Sequence, residues 1–163
     1  MTLRSEFLVP TVDEPLAVRL AALAAEIDGA RPGEWEEALE EFNRLSPCPQ
    51  TFDDFQGIYG AEEHEDYVRR LLVTYQVPVV SDVARDDIVS VFERILDTQC
   101  PDHERCFLIE ALKLNLGDAQ ISDLIYWPGN YFGDDNNARN LTPAEMADAA
   151  LASKAQRVTG SAE

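Results

Sequence analysis

The residues best equipped for chemistry in this chain are three cysteines, two histidines and a large excess of carboxylates. Cys100-Pro101-Asp102-His103-Glu104-Arg105-Cys106 sets Cys, His and Cys at three-residue steps, a ligand type and spacing that zinc accepts. A structural zinc site needs a fourth ligand, and no second ligand pair follows at a suitable spacing. Cys48 is the one other thiol, and it lies in the other half of the chain. The expected arrangement is therefore a buried Cys106 and an exposed His103, with no metal. His64 falls on the apolar edge of a helical pattern beside Glu62, Glu63, Glu65 and Asp66, where a partly buried, hydrogen-bonded histidine is expected. Asp134-Asp135-Asn136-Asn137 offers oxygen ligands but not the alternating order and terminal Glu of a calcium loop, so it reads as a polar loop. The sequence contains no Gly-rich phosphate loop after a strand, no Gly-x-Ser-x-Gly elbow and no His-Glu-x-x-His. No acid, base or nucleophile set stands out, and the expectation is a protein without catalysis or cofactor.

A different kind of chemistry is concentrated between Ile121 and Gly133. Tyr126, Trp127, Tyr131 and Phe132 put four aromatics within seven residues, interrupted by Pro128 and Gly129. The stretch is too short and too broken for an ordinary amphipathic helix. Tyr and Trp are enriched at the centres of protein interfaces, because rigid rings give contact area at small entropic cost. Two readings follow. In one, Leu124 and Ile125 fasten the segment to a helical core while Asp123, Tyr126 and Trp127 meet a partner. In the other, Leu124, Ile125 and Trp127 all plug the core and Tyr126 is half exposed.

Charge narrows the class of partner. The 163 residues carry 31 acidic and 13 basic side chains, a formal net charge of −18. The excess is spread along the chain: −6 over 1–50 (10 acidic, 4 basic), −7 over 51–100 (11, 4) and −5 over 101–163 (10, 5). Such a field repels phosphate backbones and anionic bilayers and speeds encounter with basic proteins. Nucleic acid and membrane partners are not expected, and a basic protein is. Three cysteines give no disulfide framework, and the N-terminus lacks the pattern of a secretory signal, so the expected compartment is the cytoplasm.

The supporting elements are helical throughout. Leu16, Leu20, Leu23 and Ile27 recur at helical spacing before Gly29, and Trp35 to Leu45 repeats the pattern with a glutamate-rich outer face. Thr51 with Asp54 has the form of a capping box ahead of Phe52, Phe55 and Ile58. His64 to Tyr75 shows the clearest period. Val77-Pro78-Val79-Val80 is the one β-like run, demoted by its proline to an edge or linker, and the internal boundary is placed there. Helices are expected from Ser81 or Asp82 to Asp97, and from Pro101 to Gly117. Thr142-Pro143-Ala144-Glu145 combines an N-cap threonine, proline at the first helical position and a capping-box glutamate. Residues 1–12 read as an extended or frayed arm, 156–163 as a disordered tail, and no internal repeat is evident. The expected architecture is an all-α helical bundle, divided into an N-terminal helical region (1–80) and a C-terminal four-helix domain (81–155).

Ser122-Asp123-Leu124-Ile125-Tyr126-Trp127-Pro128 closely resembles the Ser/Thr-Asp-Leu-Ile-Tyr-Tyr-Pro motif of the immunity proteins that neutralise colicin- and pyocin-type nucleases. The order around it is similar too: a helix over 84–97, a helix over 102–116, the motif, a polar loop, and a Thr-Pro-Ala-Glu helix start. The resemblance covers residues 82–155 and implies the distorted four-helix immunity fold for that half, with 1–80 as an addition. In that family the two aromatics and the Asp anchor the toxin, and an acidic second helix selects it. Matched by position, Asp123, Tyr126 and Trp127 would be the anchors. Tyr131, Asp134 and Asp135 would extend that surface, and Glu104 and Glu110 would face the partner from the second helix. The chain departs from the pattern in Tyr-Trp for Tyr-Tyr, in Asn115 to Ile121 for a His-Pro turn, and in a second helix whose acids Asp102, Glu104 and Glu110 are set against Arg105 and Lys113. The implied function is an immunity (antitoxin) protein that binds a toxin stoichiometrically. The alternative is a helical adaptor or regulatory interaction module.

Overall fold

A computed structural model describes residues 2–31, 33–134 and 136–160, the side chains of 156–160 excepted. The described residues are all-α, with no strand among them. They cluster into two compact units: an N-terminal unit of Val9–Val77 with Asp102–Cys106, and a C-terminal unit of Met1–Leu8, Pro78–Pro101 and Phe107–Glu163. The division falls at Val77–Pro78, beside the expected boundary near residue 80. Residues 1–8 and 102–106 are the exceptions.

In the N-terminal unit, α1 (Glu14–Ile27) starts where Asp13 Oδ1 accepts the Leu16 N–H at 3.1 Å and a proline occupies the first turn. Its buried stripe of Ala17, Leu20, Ala24 and Ile27 packs against both α2 (Glu36–Leu45) and α3 (His64–Thr74). Two short 3-10 helices, Phe52–Phe55 and Ile58–Gly60, lie between α2 and α3. The Thr51 amide and hydroxyl both donate to Asp54 Oδ2 at 2.7 Å, in the expected capping relationship. Phe42 meets Phe55 edge-on at 4.9 Å, and Trp35 stacks on Phe52 at 4.5 Å, so aromatic packing ties α2 to the first 3-10 helix.

In the C-terminal unit, α4 (Arg85–Leu96) packs against α8 (Pro143–Gly160), and Arg85 clasps both oxygens of Asp148 at 2.6 and 3.0 Å. Between them come α5 (Asp102–Leu116), α6 (Asp123–Tyr126) and α7 (Pro128–Phe132). α4 begins later than expected, after Ala84, because Asp82 adopts a left-handed φ of 59° that a helix cannot use. The β-like run forms no strand. Asn115 on α5 supplies the partners a strand would: its Oδ1 accepts the Val80 N–H at 2.6 Å and its Nδ2 donates to the Pro78 carbonyl at 3.0 Å.

Two expectations are corrected here. The N-terminal arm is neither extended nor frayed over 5–7: a 3-10 turn, Ser5–Phe7, buries Phe7 at 1% exposure, and Arg4 binds Asp82 at 3.3 Å and Asp87 at 3.4 Å. The expected tail does not begin at 156, since the last helix runs to Gly160, and residues 161–163 lie outside the described residues. The order of elements is similar in the two units, without a repeat in sequence. Each unit runs long helix, helix, a pair of short helices, helix, and in each the first helix packs against the last.

Candidate functional site

Ile121 to Gly133 forms two short helices joined by a kink. The Tyr126 amide donates to Ser122 O at 3.1 Å, completing one turn of α6, and Trp127 then leaves helical geometry at φ −143° and ψ 58°. Pro128 restarts the chain at the first position of α7, where its missing N–H has no helical partner to lose. Ile121 and Leu124, three residues apart and each 1% exposed, point into the core. Ile125 is only partly buried, so Ile121 takes the anchoring place expected of Ile125.

The outward residues are Tyr126 at 50% exposure, Trp127 at 56% and Phe132 at 41%. Trp127 therefore does not plug the core. Asp123, half-buried on the same turn, has no side-chain hydrogen bond or ion pair among the described residues. Tyr131 differs: its ring is half-buried against the edge of Phe132, and its hydroxyl donates to Asp118 Oδ2 at 2.8 Å. Asp118 is 4% exposed, and its Oδ1 accepts the Gln120 N–H at 3.1 Å. The sequence reading missed Asp118. Its one signal is its place directly after Gly117, whose left-handed φ of 65° ends α5, where an Asp side chain bonds the amide two residues on.

The polar loop after α7 is a clasp. Gly129 is buried, its N–H donates to Asn137 Oδ1 at 3.0 Å, and its carbonyl accepts the Asp134 N–H at 2.9 Å. A β-carbon on Gly129 would stand 2.7 Å from both Asn137 Oδ1 and the Asp134 carbonyl, so the loop closes directly over a residue that must be glycine. Arg139 locks the far side, pairing with Asp134 and lying 4.3 Å over the Phe132 ring.

The predicted residues thus separate. Asp123, Tyr126 and Trp127 share one exposed turn. Asp134 already holds Arg139, Tyr131 already holds Asp118, and Glu110 pairs with Lys113 at 2.8 Å. Glu104, partly buried, falls in the first turn of α5, which clusters with the N-terminal unit. Asp135 lies outside the described residues.

The metal-like spacing comes to a different arrangement than expected. Cys100 is the buried thiol at 4% exposure, while Cys106 and His103 are both half-buried, and all three cysteines are free. Among the described residues no group of three or more His, Cys, Asp or Glu could hold a metal ion. His64 is hydrogen-bonded as expected: Nε2 lies 3.0 Å from Asp28 Oδ2. His64 also lines a groove of about 560 Å³ together with Val18, Ala21, Ala22 and Ala25. A His–Asp pair orients an imidazole for nucleophilic catalysis, but among the described residues no Ser, Thr or Cys lines this groove. Among the described residues no helix is long and apolar enough to cross a membrane. Compared with known proteins, the chain matches no family model, no curated protein and no solved structure.

Proposed function

We propose that the chain is an immunity (antitoxin) protein of the cytoplasm, which neutralises a toxin with a basic surface by tight stoichiometric binding and without catalysis. One observation carries the reading. Tyr126 and Trp127, adjacent and each about half exposed, stand on a turn whose opposite side is fixed by Ile121 and Leu124, beside the Asp123 carboxylate, which has no ion-pair partner among the described residues. Exposed rings on a fixed support lose little entropy on docking, and Asp123 can accept a hydrogen bond from Lys, Arg or a backbone amide. The −18 net charge would draw a basic partner in.

The test uses the toxin encoded next to this chain's gene. Co-expression should protect cells from it. In calorimetry, Tyr126→Ala combined with Trp127→Ala should weaken binding about a thousandfold, at roughly 2 kcal/mol for each hot-spot ring. Far-ultraviolet circular dichroism and the melting temperature should stay near wild type, since both side chains are exposed. Absence of protection, or wild-type affinity in the double variant, overturns the reading.

A second reading, a helical adaptor or regulatory module, has one observation in its favour. On α5 the acids are largely matched, Asp102 by Arg105 at 2.6 Å and Glu110 by Lys113, so that helix does not present a strongly acidic face. A partner that is not basic, captured through Tyr126 and Trp127, would decide for it.

A further inference from the structure

The similar order of elements in the two units has a functional corollary. In the C-terminal unit the paired short helices, α6 and α7, carry exposed aromatics over buried anchors. The N-terminal unit has its own pair at the same place in the order, Phe52–Phe55 and Ile58–Gly60. There Phe55 (0% exposed) and Ile58 (6%) are the buried anchors, and Tyr59 stands out at 87% exposure, the most exposed large apolar side chain described. Its hydroxyl has no hydrogen-bond partner among the described residues.

Tyr59 is presented, not loosely hung. The Asp28 side chain, 8% exposed, reaches from the end of α1 and accepts the Gly57 N–H on Oδ1 at 3.2 Å and the Tyr59 N–H on Oδ2 at 2.8 Å. His64 Nε2 meets the same Oδ2 at 3.0 Å. Two backbone amides bound to one buried carboxylate, itself held by the His64 ring, therefore fix the backbone that carries the exposed ring, while Gly57 at φ 87° makes the turn. A ring held in this way binds without a large ordering cost.

The surroundings state the partner's chemistry. Residues 52–68 hold six carboxylates and no Lys or Arg. Residues 9–77 hold fifteen acidic and five basic side chains, a net charge of −10. The nearest cations in sequence are already engaged, Arg70 with Glu62 and Arg69 with Glu14 at 2.9 Å and Glu65 at 3.2 Å. On α2, which packs on the first 3-10 helix through its rings, Glu37 and Glu40 are exposed and have no cation partner among the described residues.

We infer that the N-terminal unit carries a second protein-docking surface, centred on Tyr59, which takes a Lys/Arg-rich protein segment independently of the Tyr126–Trp127 surface. The inference does not rest on the antitoxin reading. The test is selection of a random dodecapeptide phage library on the immobilised full chain, followed by fluorescence anisotropy with the enriched peptides. The expected result is peptides of net positive charge whose affinity falls at least tenfold with Tyr59→Ala, is retained with Tyr59→Phe, and is unchanged by Tyr126→Ala with Trp127→Ala. Tyr59 is so exposed that its alanine variant should fold as wild type, which circular dichroism verifies. No enrichment, or peptides that bind Tyr59→Ala as they bind wild type, overturns the inference. Peptides that depend only on Tyr126 and Trp127 also overturn it and leave the antitoxin proposal standing.

Discussion

Trp127 and Tyr131 lie four residues apart and end in opposite situations, one with its ring in solvent and the other with its hydroxyl on a buried carboxylate. Nothing in residue type separates them. Both are large, amphipathic and frequent at interfaces, so the sequence makes them equal candidates. The difference comes from Asp118, which reads in sequence as one more surface acid and is in fact the fixed point to which α7 is tied. Tyr131 is accordingly a positioning residue, and its removal should show in stability. Tyr131→Phe leaves the Asp118 carboxylate one donor fewer, which should cost about 1–3 kcal/mol. Differential scanning calorimetry should find the melting temperature lowered by roughly 2–10 °C. An unchanged melting temperature would show that the hydroxyl contributes nothing to the fold.

Helix starts and stops were the most legible features where local chemistry sets them. The Thr142 amide and hydroxyl both donate to Glu145 Oε2 at 2.8 Å, and Glu145 N–H donates back to Thr142 Oγ1 at 3.3 Å, completing the box that the sequence announces. Gly117 ends α5 as its position implies. The inward faces of α6 and α7 were less legible, because four- and five-residue helices are too short to display a period. The polar loop over Gly129 was not legible at all, since its bonds are specific only in three dimensions. Gly129→Ala makes this testable. Its backbone is unstrained, but its methyl would stand 2.7 Å from a backbone carbonyl, which cannot swing aside as a flexible side chain can. The expected destabilisation is about 1–3 kcal/mol by urea unfolding, with enhanced amide exchange over 129–137. Exchange rates matching wild type in that segment would contradict the clasp.

The all-α class was visible in hydrophobic periodicity. The similarity between the units was not, because they share an order of elements and not a run of residues. Net charge was equally plain in the sequence, but its use in the fold was not. Several carboxylates are held below their ordinary range. For Asp28, burial pushes upward most strongly, yet the amides of Tyr59 and Gly57 and the His64 ring together outweigh it. Thr51 lowers Asp54 and Arg85 lowers Asp148. Glu6 is brought to about 2, first by the Ser5 hydroxyl and then by Arg4. A carboxyl depressed in the folded state contributes stability above its unfolded value, near 4, and loses it as pH falls through the folded value. Urea unfolding should therefore show little change from these groups between about pH 5 and 7 and a steep loss below about pH 4. Asp28→Asn should lower stability at neutral pH and flatten the acid limb. A variant limb parallel to wild type would mean that Asp28 is not among the groups responsible.

The N-terminal arm has one further consequence, which concerns time. Arg4 bonds to the carbonyl of Asp82, 78 residues along the chain, and Phe7 is buried in the same unit. During synthesis the arm leaves the ribosome before the residues it binds, which follow only after the stretch 9–77 has been made. At about 5–20 residues per second that wait is roughly 4–16 s. Local helix pairing within 9–77 is far faster, so that unit can close while Phe7 is still exposed, and the arm reaches its place only afterwards.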